Sequence, residues 1–588
     1  MQQAKHQYYT HKCCEVNRDL VGKAVTIAGW VDTKRDHGSL IFIDLRDSTA
    51  LIQCLIDDKK EMFPICEELS VESVVSVTGV VTMRSHQTIN PDLLTGEIEI
   101  KITGIEILSE AESLPFALHQ HDLNEEMRLK YRFLDLRRGE MQEILKLRAD
   151  TIKTLRNEME RHGFIEVHTP LLTASSPEGA RDYVVPSRLH KGKCFALPQS
   201  PQLFKQLLMV AGVPKYYQIA PCLRDEDTRA DRAPGAFYQL DLEMAFATQE
   251  DVLQVVEDVI YKTFRKLSAF KMDSAPFKRI KYREALAMYG SDKPDLRNPL
   301  QFIDIRHHFT QDVPQIFKET IENGGNIFLL PTPDLSRQVR KFFDDANHYA
   351  RSLGMKGLGY LYLENGFWKG SLANIMPDSV KELIEEGAFI IAHKNKREFY
   401  KIASQLRDYI GEKLDLIEKN AFRFCWIVDF PMYEQGVNGA IDFSHNPFSM
   451  PQGGLDALNT KDPLEILAWQ YDIVCNGVEL SSGAVRNHRP DIMYKAFEIA
   501  GYSQKDVDDK FGAMISAFRY GAPPHAGCAP GIDRMVMLLA DVDNVRQVIP
   551  FPLNQQGMDL MMGAPSTISK QHADELGITF KAEGSCDH

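Results

Sequence analysis

Residues 222–246 read CLRDEDTRADRAPGAFYQLDLEMAF. Arg224, Glu226, Arg229 and Arg232 are followed by Phe237, Gln239, Asp241 and Glu243, a grouping of charge that solubility alone does not require. Two distant stretches share this texture. In PQSPQLFKQLLM, residues 198–209, Gln199, Ser200, Gln202 and Lys205 sit at a turn that opens an apolar helix. In APPHAGCAPGIDRMVMLLA, residues 522–540, a Gly- and Pro-rich approach ends in Arg534 at the mouth of an apolar helix. Between 196 and 290 strands and helices alternate without regular βαβ spacing or a Gly-rich phosphate loop, so a Rossmann or P-loop nucleotide fold is not expected.

Outward from these segments, a chain of 588 residues is long enough for several domains with large cores. Its 44% hydrophobic and 26% charged residues are those of a globular protein, which excludes fibrous and disordered classes. Lys and Arg total 68 against 82 Asp and Glu, a net charge of −14, so indiscriminate binding to polyanions is not expected. A local basic stripe could still grip a nucleic acid, because screening confines the contact energy to short range. The ten Cys show no metal-binding or disulfide spacing and read as reduced thiols. No apolar run approaches the ~18–20 residues of a membrane span, and the first residues show no signal-peptide pattern, so a cytoplasmic protein without membrane contact is expected.

Residues 24–108 read as about five short strands. Val25, Ile27, Gly29 and Val31 alternate with Thr26, Ala28 and Trp30; LIFIDLR, LIQCLI, VVSVTGVV and EIEIKITGIEIL follow. In the last run Ile98, Ile100 and Ile102 share a face, then the phase slips at Gly104 and resumes at Ile105 and Ile107, which predicts a β-bulge. The pattern suits a small closed barrel of the OB type, with a small sandwich as the alternative. Beyond a polar connector, Ile144, Leu145, Ala149, Ile152, Leu155 and Met159 recur three or four apart and His162-Gly163 ends the predicted helix. FIEVHTPLL is a strand interrupted by Pro170, and residues of about 300–423 change texture in the manner of an inserted domain.

The charged segments carry a resemblance. GFIEVHTP is similar to motif 1, LRDEDTRADRAPGAFYQLDLE to motif 2 and GCAPGIDR to motif 3 of the class II aminoacyl-tRNA synthetases, and NEEMRLKYRFLDLRR at 124–138 resembles the connector of their aspartate, asparagine and lysine subgroup. End to end the chain resembles the bacterial-type aspartyl-tRNA synthetases, including their insertion and short C-terminal extension. The resemblance implies an α+β multidomain fold: an anticodon-binding OB barrel over 1–113, a hinge over 114–140, an antiparallel-sheet catalytic domain in two parts over 141–299 and 424–557, an inserted α/β domain over 300–423 and an extension over 558–588. Because motif 1 lies at a two-fold interface in this class, Pro170 and the helix before it imply a homodimer.

The activity implied is ATP-dependent formation of aspartyl-adenylate and transfer of aspartate to the terminal adenosine of tRNA(Asp). Adenylate formation needs two anions held together while charge grows on the phosphorus oxygens, work that guanidinium forks do well. The resemblance assigns Arg224 to the α-phosphate and Arg534 to the γ-phosphate as catalytic residues. It gives Asp225, Glu226, Phe237, Glu479, Gly531, Ile532 and Asp533 to the rest of the ATP site, and Asp472 with Glu479 to Mg²⁺. Lys205 and Arg486 would meet the aspartate side chain. Asp241, Gln202 and Ser200 would lie near its ammonium group, with Glu178 on a closing loop, His445 nearby and Arg224 shared with ATP. In the barrel Arg35, Phe42 and Gln53 resemble anticodon-reading positions. His37 and Gln87 stand where members strict for tRNA(Asp) tend to carry Leu and Lys, and His37 resembles the relaxed type that also charges tRNA(Asn).

Two departures stand out: Asn446 follows His445 where many relatives have a second His, and RAPGAFYQLD is one residue longer than the RxPEFTQID form. Two other readings compete, a sister ligase for asparagine or lysine and a tRNA-binding paralogue that has lost catalysis. The latter predicts erosion at Arg224, Glu479 or Arg534, and all three are present.

Overall fold

A computed structural model describes residues 6–57, 60–175, 180–226, 235–309, 313–436 and 439–580. Two compact units divide the chain between Asp122 and Leu123, so the expected 114–140 connector is shared between them.

Alternating apolar residues in the first unit close a five-stranded barrel from strands Ala24–Asp36, Leu40–Arg46, Leu51–Asp57, Val74–Met83 and Ile98–Ser109, with the last strand between the third and fourth. Inward residues such as Ile27, Ile43, Cys54, Val77 and Ile100 are wholly buried. The phase slip is a bulge as expected. Thr78 pairs with Gly104 and Gly79 with Ile102, leaving Thr103 unmatched. Gly79 is obligatory there, since a Cβ would lie 2.3 Å from the Lys101 carbonyl.

In the second unit an eight-stranded sheet runs in the order Lys278–Lys281, Phe424–Val428, Gln470–Cys475, Val478–Val485, His525–Cys528, Gly235–Ala245, Lys215–Arg224 and Ile165–Glu166. The two outer pairs are parallel and the central ones antiparallel. One face is apolar: Leu240, Leu242, Tyr471, Ile473 and Cys528 pack against helices Gly139–Arg161, Gln249–Leu267 and Ile532–Leu539. Burying such side chains contributes roughly 1.5–3 kcal/mol each. The other face keeps the polar residues of the same strands, Gln239, Asp241, Glu243, Gln470 and Asp472, by simple alternation.

The predicted helix of motif 1 ends as expected, with His162 as its cap and Gly163 at φ +77°. Leu155 and Met159 enter the core, but Ala149 is exposed and Arg148, Thr151 and Thr154 are buried instead. The insert forms a five-stranded sheet over 303–393 flanked by helices Arg340–Ser352 and Lys396–Lys413. Its strand pairs are antiparallel rather than in the parallel βαβ order of a strict α/β domain. The hairpin Gly359–Lys369 turns through Asn365 and Gly366, both at positive φ, which fits two-residue turns.

Candidate active site

On the polar face of the eight-stranded sheet lies a cavity of about 540 Å³. Arg224 and Arg534 both line it, as do Lys205 and Arg486, although these four residues come from stretches up to 329 positions apart. Ser200, Gln202, Glu226, Phe237, Asp241, His445, Asp472, Glu479, Gly531 and Asp533 complete the expected set around the same space. Of the other expected residues, Ile532 is wholly buried in the apolar core and Asp225 does not border the cavity. Glu178, Arg229 and Arg232 fall outside the described residues, as does most of the lengthened motif 2 loop.

The end of the cavity that holds Lys205 and Arg486 is built on a helix with an inverted stripe. Gln202, Lys205, Gln206 and Met209 form the buried side of Gln202–Val210, so three polar side chains point inward where a core helix would carry Leu. Lys205 Nζ lies 2.7 Å from Asp241 Oδ1 and 3.4 Å from Glu243 Oε2. Arg486 donates through Nε and Nη2 to the two Glu243 oxygens, at 2.9 and 3.1 Å, and through Nη2 to the Gly527 carbonyl at 3.1 Å. Glu243 is thus the carboxylate that binds the two cations together, a role the sequence did not disclose. It also explains Gly527, where a Cβ would sit 2.2 Å from the Glu243 carboxylate.

Burial alone would push Glu243 up, but Arg486 and Lys205 outweigh it and hold the carboxyl below its usual range. Asp241 moves the other way: burial raises it and Lys205 only partly opposes. Its Oδ2 is buried without a hydrogen-bond partner, an acceptor left over for a ligand. Arg486, after Nε and Nη2 are engaged, keeps Nη1 for a carboxylate.

At the other end, Arg224 donates Nε–H to the Gln199 carbonyl at 3.2 Å, and its guanidinium stands 5.1 Å above the Phe237 ring. Arg534 rises from the first turn of Ile532–Leu539 and donates to the Glu479 carbonyl at 2.5 Å. Asp472 and Glu479 belong to adjacent strands. Burial, followed by the charge of Glu479, raises Asp472 well above the ordinary carboxyl value, and its Oδ1 is buried without a partner. Among the described residues no three His, Cys, Asp or Glu form a ready-made metal cluster. Two like charges with an orphaned oxygen nevertheless suit Mg²⁺, which takes one or two carboxylates and completes its shell with phosphate oxygens and water.

Sequence reasoning missed Asp292 and Lys293, in the loop before the insert. Lys293 Nζ donates to Glu479 at 2.7 Å, and although burial would lower its pKa, the Glu479 carboxylate raises it. No periodicity marks such a loop residue. The Asp533 side chain borders the cavity but accepts from Arg148 Nη1 at 2.5 Å and from the Tyr238 amide at 2.9 Å, which makes it a structural joint. His445 sits edge-on to Phe430 and Tyr282, with Asn446 beside it in the wall.

In the barrel, Arg35 pairs with Asp44 at 2.7 Å and reaches Gln53 Oε1 at 3.3 Å, while Gln53 donates to Glu99 at 2.9 Å. Phe42 lies opposite Arg35, and the His37 ring meets it edge-on at 5.6 Å. Gln87 is exposed in the turn after Met83. The expected anticodon residues therefore share one outer surface of the first three strands.

The family model described as tRNA synthetases class II (D, K and N) matches residues 124–555. The chain belongs to this family of class II synthetases. An OB-fold nucleic acid binding domain of the anticodon type matches residues 25–108 of the synthetase. Relatives named aspartate–tRNA(Asp/Asn) ligase are 53% identical in Zymomonas mobilis, covering 97% of this chain and 98% of theirs, and 52% identical in Erythrobacter litoralis, covering 97% and 96%. Among solved structures, a putative aspartyl-tRNA synthetase from Leishmania major superposes with a TM-score of 0.59 at 21% identity, covering 94% of this chain and 95% of that one. The asparaginyl-tRNA synthetase from Pyrococcus horikoshii with asparaginyl-adenylate gives 0.57 at 20% identity, covering 92% and 97%. These likenesses establish the fold of the class II synthetase.

Proposed function

We propose that this synthetase activates L-aspartate with ATP and transfers it to the 3′-terminal adenosine of tRNA(Asp) and of tRNA(Asn). The observation that carries the reading is the convergence of Arg224, Arg534, Lys205 and Arg486 on one cavity. The aspartate α-carboxylate attacks the α-phosphorus of ATP, diphosphate leaves, and Arg224 meets the negative charge that grows on the phosphoryl oxygens. Arg534 holds the far end of the triphosphate. Phe237 offers its ring to adenine, with Glu226 on the adenine side. Asp472 and Glu479 would hold Mg²⁺, which, when bound, neutralises phosphate charge and favours departure of diphosphate.

Lys205 and Arg486 supply positive charge to the substrate side chain. Lys205 and Arg486 already share Asp241 and Glu243, and the neutral amide of asparagine would add no charge to balance the two cations where the aspartate carboxylate would, a basis for rejection. Tolerance of tRNA(Asn) is supported by His37 on the Phe42 ring and by the names of relatives that match over nearly the full length. Exposed Ile165, Leu171 and Leu172 beside the motif 1 helix support a homodimer. Among the described residues no helix is long and apolar enough to cross a membrane, and the ATP and tRNA this reaction consumes favour the cytoplasm.

ATP–diphosphate exchange with aspartate, asparagine and lysine supplied separately tests the substrate, with exchange expected for aspartate alone. Fastest exchange with asparagine would overturn it. Charging of a tRNA(Asn) transcript tests the relaxed range, and complete failure there would restrict the enzyme to tRNA(Asp).

A further inference from the structure

Behind the amino-acid end of the cavity runs a chain of three neutral side chains whose polarity can be worked out link by link. His525, wholly buried, sets its Nδ1 2.8 Å from the Pro523 carbonyl. A carbonyl only accepts, so Nδ1 carries the proton and Nε2 of the neutral ring is an acceptor. Gln206 Nε2 lies 3.0 Å from that Nε2 and donates to it. The Gln206 oxygen is then the end that meets Gln202, whose Nε2 donates to it at 3.0 Å. Residues 202 and 206 are one helical turn apart on the same side of Gln202–Val210, which makes the contact possible. Gln202 lines the cavity, and with one N–H bonded to the Gln206 oxygen its amide is held so that its own oxygen can accept from a ligand, on the same wall as the unpartnered Asp241 Oδ2.

We propose that Gln206 and His525 are positioning residues that fix the Gln202 amide with its oxygen toward the substrate, so that this corner of the site accepts an ammonium group. The inference rests on the reading of an amino acid as substrate and adds what sets the polarity of its amino-group subsite. Protonating His525 would make Nε2 a donor and invert the chain: Gln206 would turn its oxygen to His525 and its nitrogen to Gln202, and Gln202 would present N–H groups to an ammonium. The surroundings oppose that. Burial lowers the His525 pKa, Glu243 on the neighbouring strand pulls it up, and Arg486 and His488 push it down again. Lys205 engages Glu243 at 3.4 Å, and the Phe518 ring meets the imidazole edge-on at 6.1 Å.

The test compares Gln206→Met, which breaks the chain, with Gln206→Glu, whose carboxylate accepts at both ends and keeps Gln202 oriented once His525 takes up a proton. In ATP–diphosphate exchange, Gln206→Met should raise the KM for aspartate about tenfold, equivalent to about 1.4 kcal/mol, with the KM for ATP changed less than about twofold. Gln206→Glu should stay within about threefold of wild type for aspartate, a rescue that a purely packing role would not give. An aspartate KM in Gln206→Met equal to that of wild type, or one equally raised in both variants, would overturn the proposal. Wild-type enzyme that failed to exchange with aspartate would instead overturn the substrate reading. Should Gln206→Met not fold, the pH dependence decides: because burial holds the His525 pKa below the ordinary 6.5, the wild-type KM for aspartate should stay flat down to about that pH and rise only below it, as His525 charges, while that of Gln206→Glu stays flat throughout. A parallel rise in both would refute the relay.

Discussion

Replacing Glu243 by Gln probes the electrostatic centre of the pocket lined by Lys205 and Arg486 with almost no change of shape. The carboxylate is wholly buried, accepts from Nε and Nη2 of Arg486 and lies 3.4 Å from Lys205, and the two cations are themselves only 2% exposed. Breaking one side of a buried ion pair costs about 3–5 kcal/mol, and the amide keeps one accepting oxygen worth about 1 kcal/mol, so a loss of about 3 kcal/mol is expected. The barrel forms a compact unit apart from this site, so the measurement should be local: hydrogen exchange of strands Gly235–Ala245 and His525–Cys528 should accelerate on the order of a hundredfold. Because Arg486 and Lys205 hold Glu243 below its ordinary value of 4.5, its stabilisation is complete above that pH and is lost as the pH falls through the lower, folded value. The gap between wild type and Glu243→Gln should therefore narrow only in acid. A loss under about 1 kcal/mol, or a gap independent of pH, would show that Glu243 does not hold the two cations.

Arg224→Ala should lower the rate of ATP–diphosphate exchange roughly 10²–10³-fold while tRNA affinity by filter binding stays near wild type; unchanged exchange would remove Arg224 from the catalytic residues. Glu479→Gln should raise the Mg²⁺ concentration needed for half-maximal exchange about tenfold or more, and an unaltered Mg²⁺ titration would place the ion elsewhere. Phe42→Ala should cost about 1–3 kcal/mol in kcat/KM for tRNA charging with no effect on exchange, and a loss in exchange would refute a role confined to the anticodon.

The barrel was legible because each of its strands alternates and Gly104 marks the slip in phase. The eight-stranded sheet was not, since its strands are gathered from residues 165 to 528 and periodicity carries no information on which distant strands pair. Asp241 and Glu243 alternate with Leu240 and Leu242 in the way of any half-exposed strand, and only the fold reveals that their polar side faces the cavity. The same ambiguity hid Gln206, a polar residue in an apolar helix. Lys293 and Asp292 lie in a loop, where position depends on the whole architecture and residue type says little. The Asn365-Gly366 turn is a hairpin signal that the sequence reading passed over in expecting an α/β insert.

Asp533 gives the three sequence motifs a common fate. One of its oxygens is claimed by Arg148 on the long motif 1 helix and the other by the Tyr238 amide of the motif 2 strand, while its own backbone belongs to the helix that aims Arg534. Three pieces of chain are thereby pinned at a single carboxylate, so that tilting any one of them would drag the other two. The wall behind Arg224 and Arg534 behaves as one casting, and tolerance to substitution along it is shared rather than local.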